Sequence, residues 1–223
     1  MNKVTISQQT KEVLKNYATI NGSILIREGS QLKTINTGEN IISQYDCIES
    51  FPQTFAIYDL NQFLGGLSLF HNTVLEFTNA DYMTIRGDDR SAKYYFSDPE
   101  ITLKTAPDRK VNFPGSDMEF CINANQLEAL RRATNVYGIP DLVFTSNESN
   151  VITLSLCDRE NETSHVYSQE IVGENTGQHE LVMKMENVNL VPGDYDVKIS
   201  SKLITQWNHT RLPLVYYIAL EPK

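Results

Sequence analysis

Apolar and polar positions along the chain fall into many short period-two runs, interrupted by a few stretches of helical period. Asn2 to Ile6 reads as a strand and Ser7 to Ile20 as a helix, with Ile6, Val13, Leu14, Tyr17 and Ala18 on one face. Lys11 and Lys15, four apart, lie side by side away from that face. Strands are expected at Ser23 to Arg27, Gln31 to Asn36 and Asn40 to Glu49, broken by the turn residues Gly29-Ser30 and Thr37-Gly38. A strand at Thr54 to Tyr58 leads into a second helix, with Asp59 as N-cap and Leu60, Phe63, Leu64 and Leu67 on one side. Gly65-Gly66 keeps that helix short. Strands at Val74 to Thr78, Tyr82 to Arg86 and Ser91 to Ser97 complete the first half.

Asp98 to Asp117 carries Pro99, Pro107 and Pro114 among charges, with little periodicity, and reads as an extended connector. It divides the chain into residues 1–106 and 107–223. The second half repeats the order of the first. A strand at Met118 to Ile122 and a helix at Ala124 to Tyr137 precede strands at Leu142 to Thr145, Val151 to Cys157 and Ser164 to Val172. A strand at His179 to Lys184 and a brief helix at Met185 to Leu190 precede strands at Tyr195 to Ser200, Leu203 to Trp207 and Leu214 to Leu220. Val13-Leu14-Lys15 matches Ala129-Leu130-Arg131, and Ile57, Leu60 and Phe63 match Val182, Met185 and Val188 at one constant offset. Two helices per half cannot cover both faces of so much antiparallel sheet. They pack on one face and leave the other toward solvent, giving an α+β fold of two similar domains.

Composition bounds the function. The 223 residues are 40% hydrophobic and 21% charged, which suits a chain folded throughout. The N-terminus lacks a signal-peptide core and no stretch nears the roughly 18 apolar residues of a membrane span, so a cytosolic protein without a membrane partner is expected. In that setting the sequons at Asn21, Asn147, Asn161 and Asn208 carry no glycan, and the scattered Cys47, Cys121 and Cys157 read as reduced, buried thiols. A net charge of -9 argues against a surface that grips nucleic acid all over, yet leaves room for a locally basic face.

No catalytic motif is present: neither a phosphate-binding glycine loop, a dinucleotide fingerprint, a zinc-protease helix nor a nucleophile elbow. His71, His165, His179 and His209 fall at turns and strand ends and read as solvated, and Asp88-Asp89 and Asp194 as turn residues. No catalytic residue, metal or cofactor is expected. The basic residues are more informative. Lys3, Lys11 and Lys15 flank or occupy the first helix, Arg131 and Arg132 the long helix of the second half, and Lys184 the start of its short one. Solvated helix faces would account for them singly. Their recurrence at one place in both halves points to a function.

Several strings carry a resemblance. Leu14-Lys15-Asn16-Tyr17-Ala18-Thr19-Ile20-Asn21, Ala56-Ile57-Tyr58-Asp59-Leu60-Asn61-Gln62-Phe63-Leu64-Gly65 and Leu67-Ser68-Leu69, with Pro192-Gly193-Asp194-Tyr195 and Tyr217-Ile218-Ala219-Leu220-Glu221, resemble the sliding clamps of replication, most closely those of T-even-type tailed bacteriophages. The ending Tyr216-Tyr217-Ile218-Ala219 is also similar to the tail of eukaryotic and archaeal clamps. Residues 73–119 match only in layout. The resemblance implies the DNA-clamp fold and a homotrimeric ring without enzymatic activity. Helices would line a hole for double-stranded DNA held without sequence specificity, with Lys3, Lys11, Lys15, Arg131, Arg132 and Lys184 as its contacts. It further implies a pocket near the connector and C-terminus for the C-terminal peptide of a replicative DNA polymerase, with Tyr217, Ala219, Pro222 and Ile41 or Ile42 contributing. A clamp loader, a link to late transcription and the cytoplasm of an infected bacterium belong to the same implication. The alternative is a β-rich interaction adaptor that forms no ring.

Overall fold

The computed structural model describes residues 2–102, 104–147 and 149–222, with Ile101 and Thr102 described by backbone alone. The chain divides into two compact units, Met1–Asp108 and Arg109–Lys223. The first contains β1 (Lys3–Val4), α1 (Gln8–Ile20), β2 (Ile24–Ile26), β3 (Gly29–Ile35), β4 (Ile41–Phe51), β5 (Phe55–Ile57), α2 (Leu60–Ser68), β6 (Val74–Glu76), β7 (Tyr82–Gly87), β8 (Arg90–Tyr95) and a one-turn α3 (Pro99–Thr102). The second contains β9 (Met118–Ile122), α4 (Ala124–Tyr137), β10 (Asp141–Ser146), β11 (Val151–Cys157), β12 (Tyr167–Asn175), β13 (His179–Lys184), β14 (Tyr195–Ser200), β15 (Ile204–His209) and β16 (Leu214–Ala219). Within each unit the ladders of the described residues are antiparallel, and the α+β class expected from the pattern is what forms.

In the first unit, four strands run in the order β1-β6-β7-β8, and β2 pairs with β5 and β3 with β4. The alternation on β4 is complete: Ile41, Ser43, Tyr45, Cys47, Glu49 and Phe51 point inward, and the residues between them outward. The core gathers Val13, Leu14 and Tyr17 of α1, Leu60, Phe63 and Leu67 of α2, and the ring cluster Phe51, Phe55 and Phe77. Each fully buried aliphatic or Phe side chain contributes about 1.5–3 kcal/mol, so the two helix stripes hold the helices far more firmly than propensity does.

In the second unit the strands run β13-β10-β11-β12-β9-β14-β15-β16. β9 therefore lies between two strands remote from it in sequence, pairing with β14 along its length but with β12 only at Gly173–Asn175. Gly173 allows that approach, because a Cβ there would come within 2.5 Å of the Glu119 carbonyl. Leu127, Leu130 and Ala133 bury the face of α4. A second cluster sets Tyr195 edge-on to Trp207 and Tyr216.

Two sequence expectations need correction. The helix at Met185–Leu190 is a single 3-10 turn, Met185–Asn187, closed by Val188 N donating to Met185 O. Beyond the turn, the carbonyls of Val188 and Leu190 accept the Arg131 guanidinium, and Pro192 has no N–H to offer the Val188 carbonyl. Among the described residues the second unit thus has one α-helix and one 3-10 turn. The connector is not extended throughout, since Pro99–Thr102 forms one helical turn with Pro99 at its start, where a missing N–H costs nothing.

Candidate nucleic-acid interface

On α1, the Ser7 side chain caps Thr10 N at 3.1 Å. The buried Glu49 of β4 accepts Ser7 N at 2.6 Å and the Thr10 hydroxyl at 2.8 Å. Burial alone would raise the Glu49 pKa. The hydrogen bonds from Ser7 and Thr10 outweigh it and hold the carboxyl below its ordinary value. A carboxylate therefore sits at the positive end of α1 and fixes it to the sheet. At the other end Asn21 N donates to Tyr17 O at 2.8 Å. This leaves Lys11 half-exposed and Lys15 exposed on the face opposite Val13, Leu14 and Tyr17.

On α4, Asn123 and Gln126 form a reciprocal capping box, and Gly138 ends the helix at φ 67°, the left-handed conformation only glycine adopts freely. Arg131 and Arg132 leave this helix differently. Arg132 is exposed, whereas Arg131 donates Nη2 to Val188 O at 3.1 Å and Leu190 O at 3.2 Å. Lys184 Nζ lies 2.6 Å from Asp141 Oδ1, and this bond raises the lysine pKa. Arg131 and Lys184 face one cleft of about 520 Å³, lined also by Thr134, Asn135, Met185 and Asn189.

Lys3 belongs elsewhere. It lies on β1 beside Glu76 at 2.8 Å, and Arg86 reaches the same carboxylate at 3.2 Å. That trio lies on the exposed side of the β1-β6-β7-β8 sheet, opposite the buried row Val4, Leu75 and Ile85. The six expected contacts thus separate into three kinds. Among the described residues, Lys11, Lys15 and Arg132 take part in no ion pair. Arg131 and Lys184 share a cleft but are engaged within the unit, and Lys3 shares an acid with Arg86.

Of the expected pocket residues, Tyr217 and Ala219 point to the same side of β16, between the buried Tyr216, Ile218 and Leu220. Burial raises the Tyr217 pKa. Pro222 is exposed just after Glu221, whose N–H donates to Val182 O at 2.7 Å and so fastens the tail to β13. On β4, Ile41 is buried and Ile42 half-buried, so adjacent residues face opposite sides.

Sequence reasoning missed the role of His209. It is buried, not solvated: its Nδ1 accepts Arg211 N at 3.1 Å and Leu212 N at 3.3 Å, which places the ring proton on Nε2, toward Pro192 O. Burial lowers its pKa. The thiols also differ from expectation. Only Cys47 is buried, with its pKa pushed up to about 12, while Cys121 is exposed and donates to Asp196 at 2.8 Å. Among the described residues, no group of three His, Cys, Asp or Glu side chains could hold a metal ion, and no helix is long and apolar enough to cross a membrane.

The architecture, two units of antiparallel sheet each with a helix bearing exposed cations, defines a class: the DNA-clamp fold. Proliferating Cellular Nuclear Antigen from Entamoeba histolytica superposes with a TM-score of 0.72 at 10% identity, covering 99% of both chains. A. fulgidus PCNA, solved with the C-terminal region of FEN-1, gives 0.73 at 10% identity over 100% of this chain and 99% of that one. No family model matches the chain. In sequence it is 33% identical to the sliding clamp of Vibrio phage KVP40, over 97% of this chain and 98% of the relative. It is 24% identical to that of phage T4, over 88% and 87% respectively. The chain belongs to the sliding clamps of bacteriophage replication.

Proposed function

We propose that three copies close head to tail into a ring that encircles double-stranded DNA and tethers a replicative polymerase. The observation that carries the DNA contact is the unneutralised set Lys11, Lys15 and Arg132 on two helices of a chain whose net charge is -9. Flexible cations meeting phosphates carry no sequence information, and their attraction is screened within about 10 Å at moderate salt, so the duplex is held loosely enough to slide. Closure of the ring then supplies retention, and no catalytic centre is needed. Lys3, Arg131 and Lys184 add to the field but are already committed to partners within the chain.

Two free strand edges support the ring. β8 ends its sheet and exposes Arg90, Lys93 and Tyr95. On β12, residues 167–172 pair with β11 on one side and, among the described residues, with nothing on the other, and Ser168, Glu170 and Val172 are exposed there. A basic edge on the first unit and an edge carrying Glu170 on the second favour antiparallel pairing between copies, a heterologous contact that closes at a third of a turn. The half-buried Tyr217 and Ala219 and the exposed Pro222 form the border on which an aromatic-bearing polymerase C-terminal peptide docks, with Ile41 or Ile42 assisting. A. fulgidus PCNA, alike in fold, binds the C-terminal region of FEN-1. Loading by an ATP-driven clamp loader, a part in late transcription and residence in the infected bacterial cytoplasm complete the reading.

Light scattering tests closure: a particle three times the 25.3 kDa chain is expected, and one that stays at 25.3 kDa at micromolar concentration returns the adaptor reading. Arg90→Glu with Lys93→Glu breaks the ring, and mixing with Glu170→Lys chains restores pairing at the mixed interface. Lys11→Glu with Lys15→Glu and Arg132→Glu lowers polymerase processivity while the trimer persists. Unchanged processivity removes these residues from the DNA contact.

A further inference from the structure

A cluster of polar contacts in the first unit fastens residues 104–108 across β2 and β3. Arg27, just after β2, donates Nη2 to Ala106 O at 3.1 Å and pairs through Nε with the Asp108 carboxylate. Lys33 of β3 donates to Asp108 O at 2.8 Å. Lys104 pairs with Glu39 in the turn before β4, and Asn21 Nδ2 reaches Lys104 O at 3.2 Å. Two cations, one acid and one amide thus reach these five residues from elsewhere in the unit, meeting Lys104 and Asp108 within them. Apolar burial is slight by comparison, since Ala106 alone in 104–108 is buried, and the segment donates no backbone hydrogen bond to the fold among those of the described residues.

We infer that residues 104–108 are an ionic strap, held closed at low ionic strength and released when salt screens its charges. The acids are well exposed, Glu39 at 63% and Asp108 at 76% of the side chain, so solvent and counter-ions reach both pairs. Asp108 also borders a small cleft of about 140 Å³, together with Leu25, Arg27, Glu28, Gln31 and Lys33. Release removes one wall of this cleft and frees the first part of the connector. The consequence for partners rests on the proposed docking of a peptide beside the connector: a fastened strap holds that segment in one place, and a released one lets it follow the peptide.

Trypsin reads the strap directly, because Lys104, Arg109 and Lys110 are cleavage sites within or beside it. Cleavage of the full chain is followed at about 50 mM and about 500 mM salt, where the Debye length falls severalfold, and normalised to an unfolded peptide of the same segment. The wild type is cut several-fold faster at high salt. Glu39→Gln with Asp108→Asn keeps every trypsin site, is cut fast at both salts and loses the salt response. A wild type without salt response, or a variant indistinguishable from it, overturns the strap. A parallel titration with an aromatic-bearing peptide separates the two ideas. If cleavage behaves as expected and peptide affinity is the same in both proteins, the docking reading fails and the strap stands.

Discussion

Replacing Arg131 by Ala is expected to destabilise the second unit without acting mainly on DNA. The guanidinium is the donor to the carbonyls of Val188 and Leu190, and both residues are buried at 2% exposure. Hydrogen bonds to a charged donor contribute about 1.5–3 kcal/mol each, and a buried acceptor left without a donor costs about 1–3 kcal/mol. Water entering the vacated cleft offsets part of this, so a net loss of roughly 2–4 kcal/mol follows. Against a typical total of about 5–15 kcal/mol, that is a large fraction. The single tryptophan makes the measurement specific, because Trp207 is fully buried in the second unit. Urea unfolding followed by its fluorescence, at fixed protein concentration, should show Arg131→Ala far below wild type and Arg131→Lys between them, since an ammonium keeps the charge but lacks the planar fork. Arg132→Ala should leave the midpoint within about 0.5 kcal/mol and instead reduce the salt slope of duplex affinity by about 1 per lost phosphate contact. An Arg131→Ala midpoint equal to wild type would falsify this reading of the two carbonyls.

Glu49→Gln should weaken the hold on α1 and flatten the acid limb of stability. The carboxyl's folded pKa is depressed, so its contribution is complete above the unfolded value near 4.3 and lost as pH falls through the folded one. Helix loss on acid titration that is the same in variant and wild type would contradict this. For His209 the fold prefers the neutral ring, so stability is full above the unfolded pKa of about 6.5 and declines as pH falls through the lower folded value. The Trp207 midpoint should drop between pH 7 and 5, and His209→Gln should flatten that slope. Gly193→Ala should cost about 1–3 kcal/mol, because the new Cβ would lie 2.3 Å from His209 Nε2 and 3.2 Å from its Cδ2. A thermal midpoint unchanged from wild type would mean the ring moves aside freely.

The fold was legible wherever local chemistry and tertiary packing agree. Ile57, Leu60 and Phe63 and their counterparts Val182, Met185 and Val188 are all buried, as the repeat of apolar spacing required. The bounds of α4 coincide with the sequence reading because Asn123, Gln126 and Gly138 mark both ends chemically. The 3-10 turn at Met185 was not legible, because the segment after it is held through its carbonyls by Arg131, fifty-seven residues earlier, a contact that local spacing does not display. Nor was the strand order. β9 between β12 and β14 is a non-local pairing, decided by the whole sheet and by the room Gly173 leaves.

The candidate site shows a sharper boundary of the same kind. A sequence displays the sign of every side chain but not which charges cancel. Lys15 and Arg131 occupy matching places in the repeat, yet Lys15 is exposed and free of ion pairs among the described residues, whereas Arg131 is a brace between a helix and a loop. Lys3 and Lys184 look as available as Lys11 until Glu76 and Asp141 are seen beside them. The distinction has an energetic basis. Taking up a phosphate costs an ion-paired lysine the bond it already has, so its net gain is small, whereas an unpaired lysine gives up only water and mobile ions. For a clamp that must hold DNA without stopping on it, a few unpaired, solvated cations at two helices are the more suitable contact. Fixed, pre-paired ones are better at shaping the protein that carries them.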